Sequence, residues 1–199
     1  MKYESVEKQE WNREPDTAAL ERAGVLADSD AEREYKMLVE RGSVLSIINL
    51  AHIFEYRIPQ DDGPDFASAE MWYRKAVDTG SAVATFYFGC FYFRRKNYGA
   101  AWRELNIGLE RGYPPSIVRL AYLSINGIGC QRDQARARIL LRQASKRGNL
   151  WAKRGLAMMD YNIGENIYVK IGGAITFIFA RIQFFIEKRR YPTSERLRK

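Results

Sequence analysis

The side chains that could take part in catalysis or metal binding are few and scattered along the sequence. His52 is the only histidine, and the only two cysteines, Cys90 and Cys130, lie far apart without a CxxC pair. Catalysis would need several titratable groups that converge on one pocket, and a zinc site would need closely spaced ligands. The sequence therefore predicts no enzyme activity, no metal site and no cofactor.

One short segment, NGIGC, contains two closely spaced glycines, Gly127 and Gly129, as phosphate-binding loops do. A P-loop also requires a preceding strand and a Gly-Lys-Ser/Thr ending, and neither is present. We interpret the glycines and Cys130 as turn residues. His52 follows one of the repeated glycines described below. The positions at the same sequence separation from the other three glycines hold residues of three unrelated types. We therefore interpret the position of His52 as a packing or groove-lining one.

Glycines also reveal an internal repeat. Gly42, Gly80, Gly112 and Gly148 are separated by 38, 32 and 36 residues, a spacing typical of stacked helix pairs. Small residues recur at fixed offsets, 11 positions before and nine positions after these glycines: Ala31, Ala69, Ala101, Ala137, Ala51, Gly89, Ala121 and Ala157. Small side chains let two helices approach closely, so the pattern predicts nested helical hairpins.

The segment LAYLSINGIGCQRDQARARILLRQASKRG, Leu120–Gly148, resembles a Sel1-like repeat, a relative of the tetratricopeptide repeat. The residues that carry the resemblance follow the family order of small, turn and helix positions: Leu120, Ala121, Gly127, Gly129, Asp133, Ala137 and Ala144. The similarity extends over about Ala31–Tyr161. It departs from the family pattern in the short Arg94–Tyr98 turn and at Glu104 and Gly108.

This resemblance implies an all-α fold, a right-handed α-solenoid whose first helices line a concave surface. It also implies a non-catalytic adaptor or scaffold that binds a protein partner. Bacterial proteins similar to this family often serve cell-envelope assembly, including polysaccharide production and secretion. Small-molecule substrates are not expected.

The positions of aromatic and basic residues around the predicted helices indicate a strip of side chains that could bind the protein partner. In the aromatic segment FYFGCFYFRRKNY, Phe88 and Tyr92 share the face of Gly89 and are predicted to be core. The residues predicted to line the groove are three of this segment and two of the next equivalent helix: Tyr87, Phe91, Arg94, Arg119 and Tyr122. Aromatic and arginine side chains dominate protein interfaces, which favours a protein partner.

The formal net charge of +8 leaves a second hypothesis open. Six basic and two acidic residues lie between Glu187 and Lys199, a local net charge of +4. Together with Arg94, Arg95 and Lys96, this tail could bind nucleic acid or another anionic ligand, with strong salt dependence. We regard nucleic acid as the weaker alternative.

The segment Ile171–Arg190 is the most apolar part of the chain and predicts a long helix. On a helical projection, Ile171, Ile175, Ile178, Ile182 and Phe185 form one stripe, while Lys170, Arg181 and Lys188 form a basic line. This arrangement is typical of a helix that lies in a membrane interface, with Lys188, Arg189 and Arg190 near the anionic lipid surface.

Two alternatives to this interfacial helix stay open. A helix that caps the solenoid would bury the stripe but would leave Phe177 and Phe184 unexplained. A transmembrane span is disfavoured because Ile171–Ile186 offers 16 residues, against the roughly 20 that a span needs. It would also carry the basic tail across the bilayer.

The expected organisation is a flexible arm over residues 1–16, a solenoid over 17–162, an apolar helix over 163–190 and a basic tail over 191–199. The first residues, MKYESVEKQEWNREP, lack the apolar segment of a secretory signal, and the two isolated cysteines suit a reducing compartment. We therefore expect a membrane-associated protein on the cytoplasmic side.

Overall fold

The computed structural model describes residues 14–24, 26, 28–56, 63–163 and 167–190. All regular structure in these residues is helical, and no strand occurs among them, so the predicted all-α solenoid class is confirmed. In chain order the helices are α1 (Thr17–Ala23), α2 (Asp28–Glu40), α3 (Val44–Tyr56), α4 (Phe66–Asp78), α5 (Ala82–Arg94), α6 (Tyr98–Glu110), α7 (Pro114–Asn126), α8 (Gln134–Lys146), α9 (Leu150–Ile163) and α10 (Ile167–Arg190).

The helices from α2 to α8 each contain 13 residues, and unequal connections account for the unequal glycine spacing. Three residues separate one pair from the next, whereas nine, three and seven residues connect the two helices within the pairs α3–α4, α5–α6 and α7–α8. The repeated glycines end helices with positive φ angles of 72° to 88°. In the shortest connection Lys96 takes this left-handed conformation, with φ 60°.

Most helices begin at a residue whose side chain caps the first turn. In each case a side-chain oxygen accepts a hydrogen bond of 2.8 to 3.3 Å from the backbone N–H three residues later. These caps are Asp16, Asp65, Ser81, Asn97, Asp133 and Asn149. Each satisfies one of the N–H groups that a helix start leaves unpaired.

The end of the predicted N-terminal arm is held in place. The Glu14 carboxylate accepts hydrogen bonds from the Ser43 hydroxyl at 2.5 Å and from the Leu45 N–H at 2.8 Å, at the start of α3. Asp16 caps α1. Residues 1–13 of the predicted arm, and the predicted basic tail from 191 onward, lie outside the described residues.

The chain divides into two compact units, with the boundary inside α6 between Glu104 and Leu105. In the first unit α3 packs against α2, α4 and α5. The alanines predicted at the helix contacts, Ala31, Ala51 and Ala69, are all buried there. Tyr73 and Phe88 stack with ring centroids 5.9 Å apart and fill the space between α4 and α5.

In the second unit α8 lies between α7 and α9, and α10 packs along α9. Ala121, Ala137 and Ala157 are buried, as the small-residue pattern predicts. The pair α9 and α10, which we call the C-terminal hairpin, is closest at Gly173. A Cβ atom placed there would lie 2.6 Å from the Tyr161 backbone nitrogen and 2.9 Å from the Ala157 carbonyl oxygen.

The neighbouring glycines Gly172 and Gly173 allow a matched test of this close packing. Gly173→Ala should lower the free energy of unfolding by about 1–3 kcal/mol, because backbone atoms of α9 occupy the space that the methyl group needs. Gly172 has no atom within 4 Å of its Cβ position. Gly172→Ala should therefore raise stability by up to about 1 kcal/mol through helix propensity alone.

Urea denaturation followed by circular dichroism would measure both variants in the full chain. Equal midpoints for the two variants would show that α10 is not held against α9 at this glycine.

Candidate functional site

A buried carboxylate organises the first unit where α3, α4 and α5 meet. Glu55 on α3 accepts two hydrogen bonds from the Arg94 guanidinium, at 2.5 and 2.6 Å, and a third from the Tyr73 hydroxyl at 2.7 Å. Glu55 is 5% exposed, so its charge needs these partners. The bidentate pair fixes the direction of the Arg94 side chain, which lies over the Tyr56 ring at 5.4 Å.

Proton affinities follow from this arrangement. Burial by itself lowers the pKa of the Arg94 guanidinium, but the hydrogen bonds and charge of Glu55 outweigh it and raise the pKa above its ordinary value. Burial, together with the Glu55 charge, raises the pKa of the Tyr73 hydroxyl well above its usual range. Both groups therefore keep their protons at physiological pH, and the pair is internally neutralised.

Aromatic rings surround His52 one turn before Glu55. Its imidazole meets Tyr87 and Tyr73 edge-on, with centroid separations of 5.2 and 5.7 Å, and lies 6.0 Å from the Tyr56 ring. Burial is the main reason that the pKa of His52 falls to about 4, so the imidazole is neutral at physiological pH. Tyr56 is exposed and Tyr87 is half-buried. We call the surface formed by His52, Tyr56 and Tyr87 the aromatic patch.

The second candidate surface is the outer side of α10. The residues on its inner side are Gly173, Phe177, Ala180 and Phe184. Ala180 is 1% exposed, and Phe184 meets Trp151 of α9 edge-on with ring centroids 5.1 Å apart. A helix that caps the solenoid was expected to bury the isoleucine stripe and to leave Phe177 and Phe184 without a contact. In the structure the two phenylalanines lie on the packed side of α10 instead.

The predicted isoleucine stripe is exposed on the opposite side of α10. Ile178 is 57% exposed and Phe185 is 66% exposed, and the rest of the stripe is at least half exposed: Ile171, Ile175 and Ile182. The 21-residue segment Val169–Arg189, with a mean hydropathy of 1.6, has the length and composition to cross a membrane. This segment is longer than the 16 apolar residues counted from sequence, because the helix continues on both sides.

The family model of the Sel1 repeat matches residues 44–81 and 114–149. These two segments are similar to the Sel1 repeat. The first match covers α3 and α4, which carry the aromatic patch residues His52 and Tyr56 as well as Glu55, and the second covers α7 and α8. The resemblance inferred from Leu120–Gly148 is confirmed.

Solved structures with a similar fold include three bacterial proteins at 16–20% sequence identity. A protective antigen of uropathogenic Escherichia coli has a TM-score of 0.60 at 20% identity, over 82% of this chain and 39% of its own. A Sel1 repeat protein from Oxalobacter formigenes has a TM-score of 0.61 at 16% identity, over 86% and 76%. An immunity protein from Pseudomonas aeruginosa has a TM-score of 0.59 at 19% identity, over 87% and 71%.

These similarities concern the fold. The chain spans 39% of the length of the Escherichia coli antigen, and no curated protein sequence gives a significant match. Sel1 repeats generally act as scaffolds that bind protein partners, which supports a protein-interaction role for this chain.

The Sel1 arrangement brings together only part of the predicted strip in the first unit. Tyr87 contributes to the aromatic patch, but Phe91 is 2% exposed and packs against Tyr73, so it belongs to the core. The phase argument placed Phe91 in the groove because it did not allow for α4 covering that side of α5. Arg94 reaches the surface with its charge already paired to Glu55.

In the second unit the other two predicted strip residues lie on α7. Tyr122 is 41% exposed, and the Arg119 side chain is half-buried. In the basic cluster proposed for nucleic acid, Arg95 lies over the Phe66 ring at 3.8 Å, and the charge of Arg94 is already paired with Glu55. The pairing of Arg94 disfavours the nucleic-acid alternative at that cluster.

Sequence reasoning missed Tyr56 and the role of Glu55. A lone carboxylate in the apolar helix VLSIINLAHIFEY is a usable signal, since a buried charge needs a partner. His52 and Tyr56 are four residues apart and so share a helix face. What the sequence alone could not give was the identity of the partner, Arg94, 39 residues away.

Replacing Glu55 by Gln should cost about 2–3 kcal/mol of unfolding free energy, because Arg94 and Tyr73 both lose a charged acceptor. The matched control is Lys36→Gln, which removes an exposed pair with Glu32 and should cost less than about 0.5 kcal/mol. Chemical denaturation of both variants measures the difference. Similar costs for the two would show that the Glu55–Arg94 pair adds nothing beyond a surface ion pair.

Proposed function

We propose that this protein is a membrane-associated Sel1-repeat scaffold, which binds a protein partner through the aromatic patch and rests on a membrane through the outer side of α10. The observation that carries the proposal is the exposed isoleucine stripe, which continues for four turns of a helix whose inner side is already packed. Contiguous exposed apolar surface of this kind is characteristic of interaction sites. The basic line beside it favours an anionic membrane surface.

A surface position fits the C-terminal hairpin better than a full crossing. The inner side of α10 is packed against α9, and α9 carries Lys153, Arg154 and Asp160. If the hairpin keeps this packing, a crossing would draw these charged groups toward hydrocarbon, which costs several kcal/mol for each charge at the bilayer centre. A helix of 24 residues, about 36 Å long, can instead lie along the interface with only its stripe buried.

The aromatic patch is suited to a protein segment with apolar or aromatic side chains. Its histidine is neutral, the neighbouring Arg94 is neutralised by Glu55, and its tyrosines combine an apolar ring with a polar hydroxyl. Tyrosine side chains provide large contact area at low entropic cost in interfaces. An immunity protein has a similar fold, in agreement with a role in binding another protein. The cytoplasmic side of a bacterial envelope is the proposed location.

Membrane attachment is tested by removing part of the stripe. Ile178→Asn with Ile182→Asn should release most of the protein from the membrane fraction, since each asparagine replaces an apolar side chain worth about 1.5–3 kcal/mol when buried. The control is Met71→Asn with Ile139→Asn, two exposed apolar residues outside the C-terminal hairpin. Equal membrane recovery of wild type and both variants would contradict the attachment.

Partner binding is tested at the aromatic patch. Tyr56→Ala with Tyr87→Ala should reduce the recovery of the protein that copurifies with the detergent-extracted wild type by at least tenfold, as expected when hot-spot tyrosines are truncated. Tyr161→Ala, which removes an exposed tyrosine on α9, is the control. Unchanged copurification in a double variant with wild-type helicity would remove the patch from the proposal.

A further inference from the structure

Two arginines of the C-terminal hairpin, Arg154 and Arg181, lie opposite each other. The register of the antiparallel helices is given by two side-chain contacts, Phe184 with Trp151 and Gln183 with Lys153. The same register places Arg181 of α10 beside Arg154 of α9. Within the described part of the chain, neither guanidinium has a hydrogen bond or an ion pair.

The nearby carboxylates do not neutralise this pair. The only acidic residue of α9 is Asp160, which forms an ion pair with Arg138 of α8. The only acidic residue of α10 is Glu187, six positions beyond Arg181. Burial, and then the charge of Arg181, lowers the pKa of Arg154, in agreement with two like charges held close together. Such a pair is electrostatically unfavourable unless an anion binds between its members.

Aromatic rings hold both guanidinium groups. Arg154 stacks on the Trp151 ring with its central carbon 4.1 Å from the centroid, and Arg181 lies 6.0 Å from the centroid of Phe177. Stacking leaves the edge of a guanidinium group, with its N–H donors, free to meet an oxyanion. Tryptophan is also enriched at the depth of lipid headgroups.

The position of Arg181 around α10 connects the pair to the exposed stripe. On the helical projection, Arg181 lies between the inner side, centred on Gly173 and Ala180, and the outer isoleucine stripe. When the stripe is in the apolar part of a membrane interface, side chains at this boundary lie at the level of the lipid phosphates. Lys170 and Lys188 occupy the same boundary about three turns before and about two turns after Arg181.

We propose that Arg154 and Arg181 form a binding site for the phosphate group of an anionic lipid, at the edge of the membrane-contacting side of α10. This inference rests on the proposed membrane attachment, which it deepens by assigning the lipid class and the residues that recognise it. Arginine is suited to the site because its planar fork binds two phosphate oxygens at once.

The test is flotation of the full-length protein with two kinds of vesicle, one of phosphatidylcholine and one of equimolar phosphatidylcholine and phosphatidylglycerol. Wild type should bind the anionic vesicles more tightly. Arg154→Gln with Arg181→Gln should weaken that binding about thirtyfold at low salt, from the contribution of each cation at an anionic surface. The control, Arg132→Gln with Arg142→Gln, removes two exposed arginines outside the hairpin and should weaken it less than about threefold.

The outcomes separate this site from the proposed function. If wild type floats with neither vesicle, membrane attachment itself fails. If wild type floats with both, and the two double variants lose affinity equally or not at all, attachment stands and the Arg154–Arg181 site is overturned. Displacement by inorganic phosphate at matched ionic strength would identify a free phosphate ligand and overturn the lipid assignment. Arg181→Gln alone, at an exposed side chain, repeats the test if the double variant loses helicity.

Discussion

Close approach between successive helices is the constraint on which the structure depends. Within each unit, alanines stand at contacts between neighbouring helices, and these positions are almost completely buried, as at Ala51, Ala69, Ala121 and Ala137. The short side chains let the larger residues beside them interlock, so that Leu50 and Leu120 are also fully buried. In an array of helix pairs each unit is stabilised chiefly by its neighbours, and a single enlarged contact residue affects two interfaces.

A different interaction gives the first unit a defined surface. The apolar helix α3 carries one buried carboxylate, and its three hydrogen bonds draw Tyr73 from α4 and Arg94 from α5 into one cluster. The same contacts fix the rings of Tyr56 and His52 relative to each other. A surface that is ordered before a partner arrives loses less conformational entropy on binding. In the proposed scaffold, the buried pair would therefore assist recognition without touching the partner.

Much of the helical framework could be predicted from the sequence because it depends on local signals. Asp65 and Asp133 stand directly before helices and cap them, and the repeated glycines end helices. These signals predict helices over about Val44–Tyr56, Phe66–Asp78, Tyr98–Glu110 and Gln134–Lys146, and α3, α4, α6 and α8 have these limits. The sequence also predicts a first helix to about Leu26 and a helix from about Ser116, whereas α1 ends at Ala23 and α7 begins at Pro114. Both differences lie at helix ends, where proline and frayed turns blur the pattern.

The sites were harder to predict because they depend on which helix covers which side. The periodicity of α5 predicts that Phe91 faces the groove, yet the structure places it in the core. The isoleucine stripe of α10 could by its periodicity face either the solenoid or a membrane, and the structure leaves it exposed. Periodicity defines the sides of a helix but does not say which neighbour it meets. In α10 the deciding residue is Gly173, since only the side with that glycine can lie against the α9 backbone.

The unequal connections have an evolutionary consequence. The connections inside the pairs have nine, three and seven residues, whereas each connection between these pairs has three. The helices on both sides of the longer and shorter connections keep the same length of 13 residues. The connections inside the pairs are therefore the places where loops can diversify, or foreign peptides can be grafted, without a change in the paired helices.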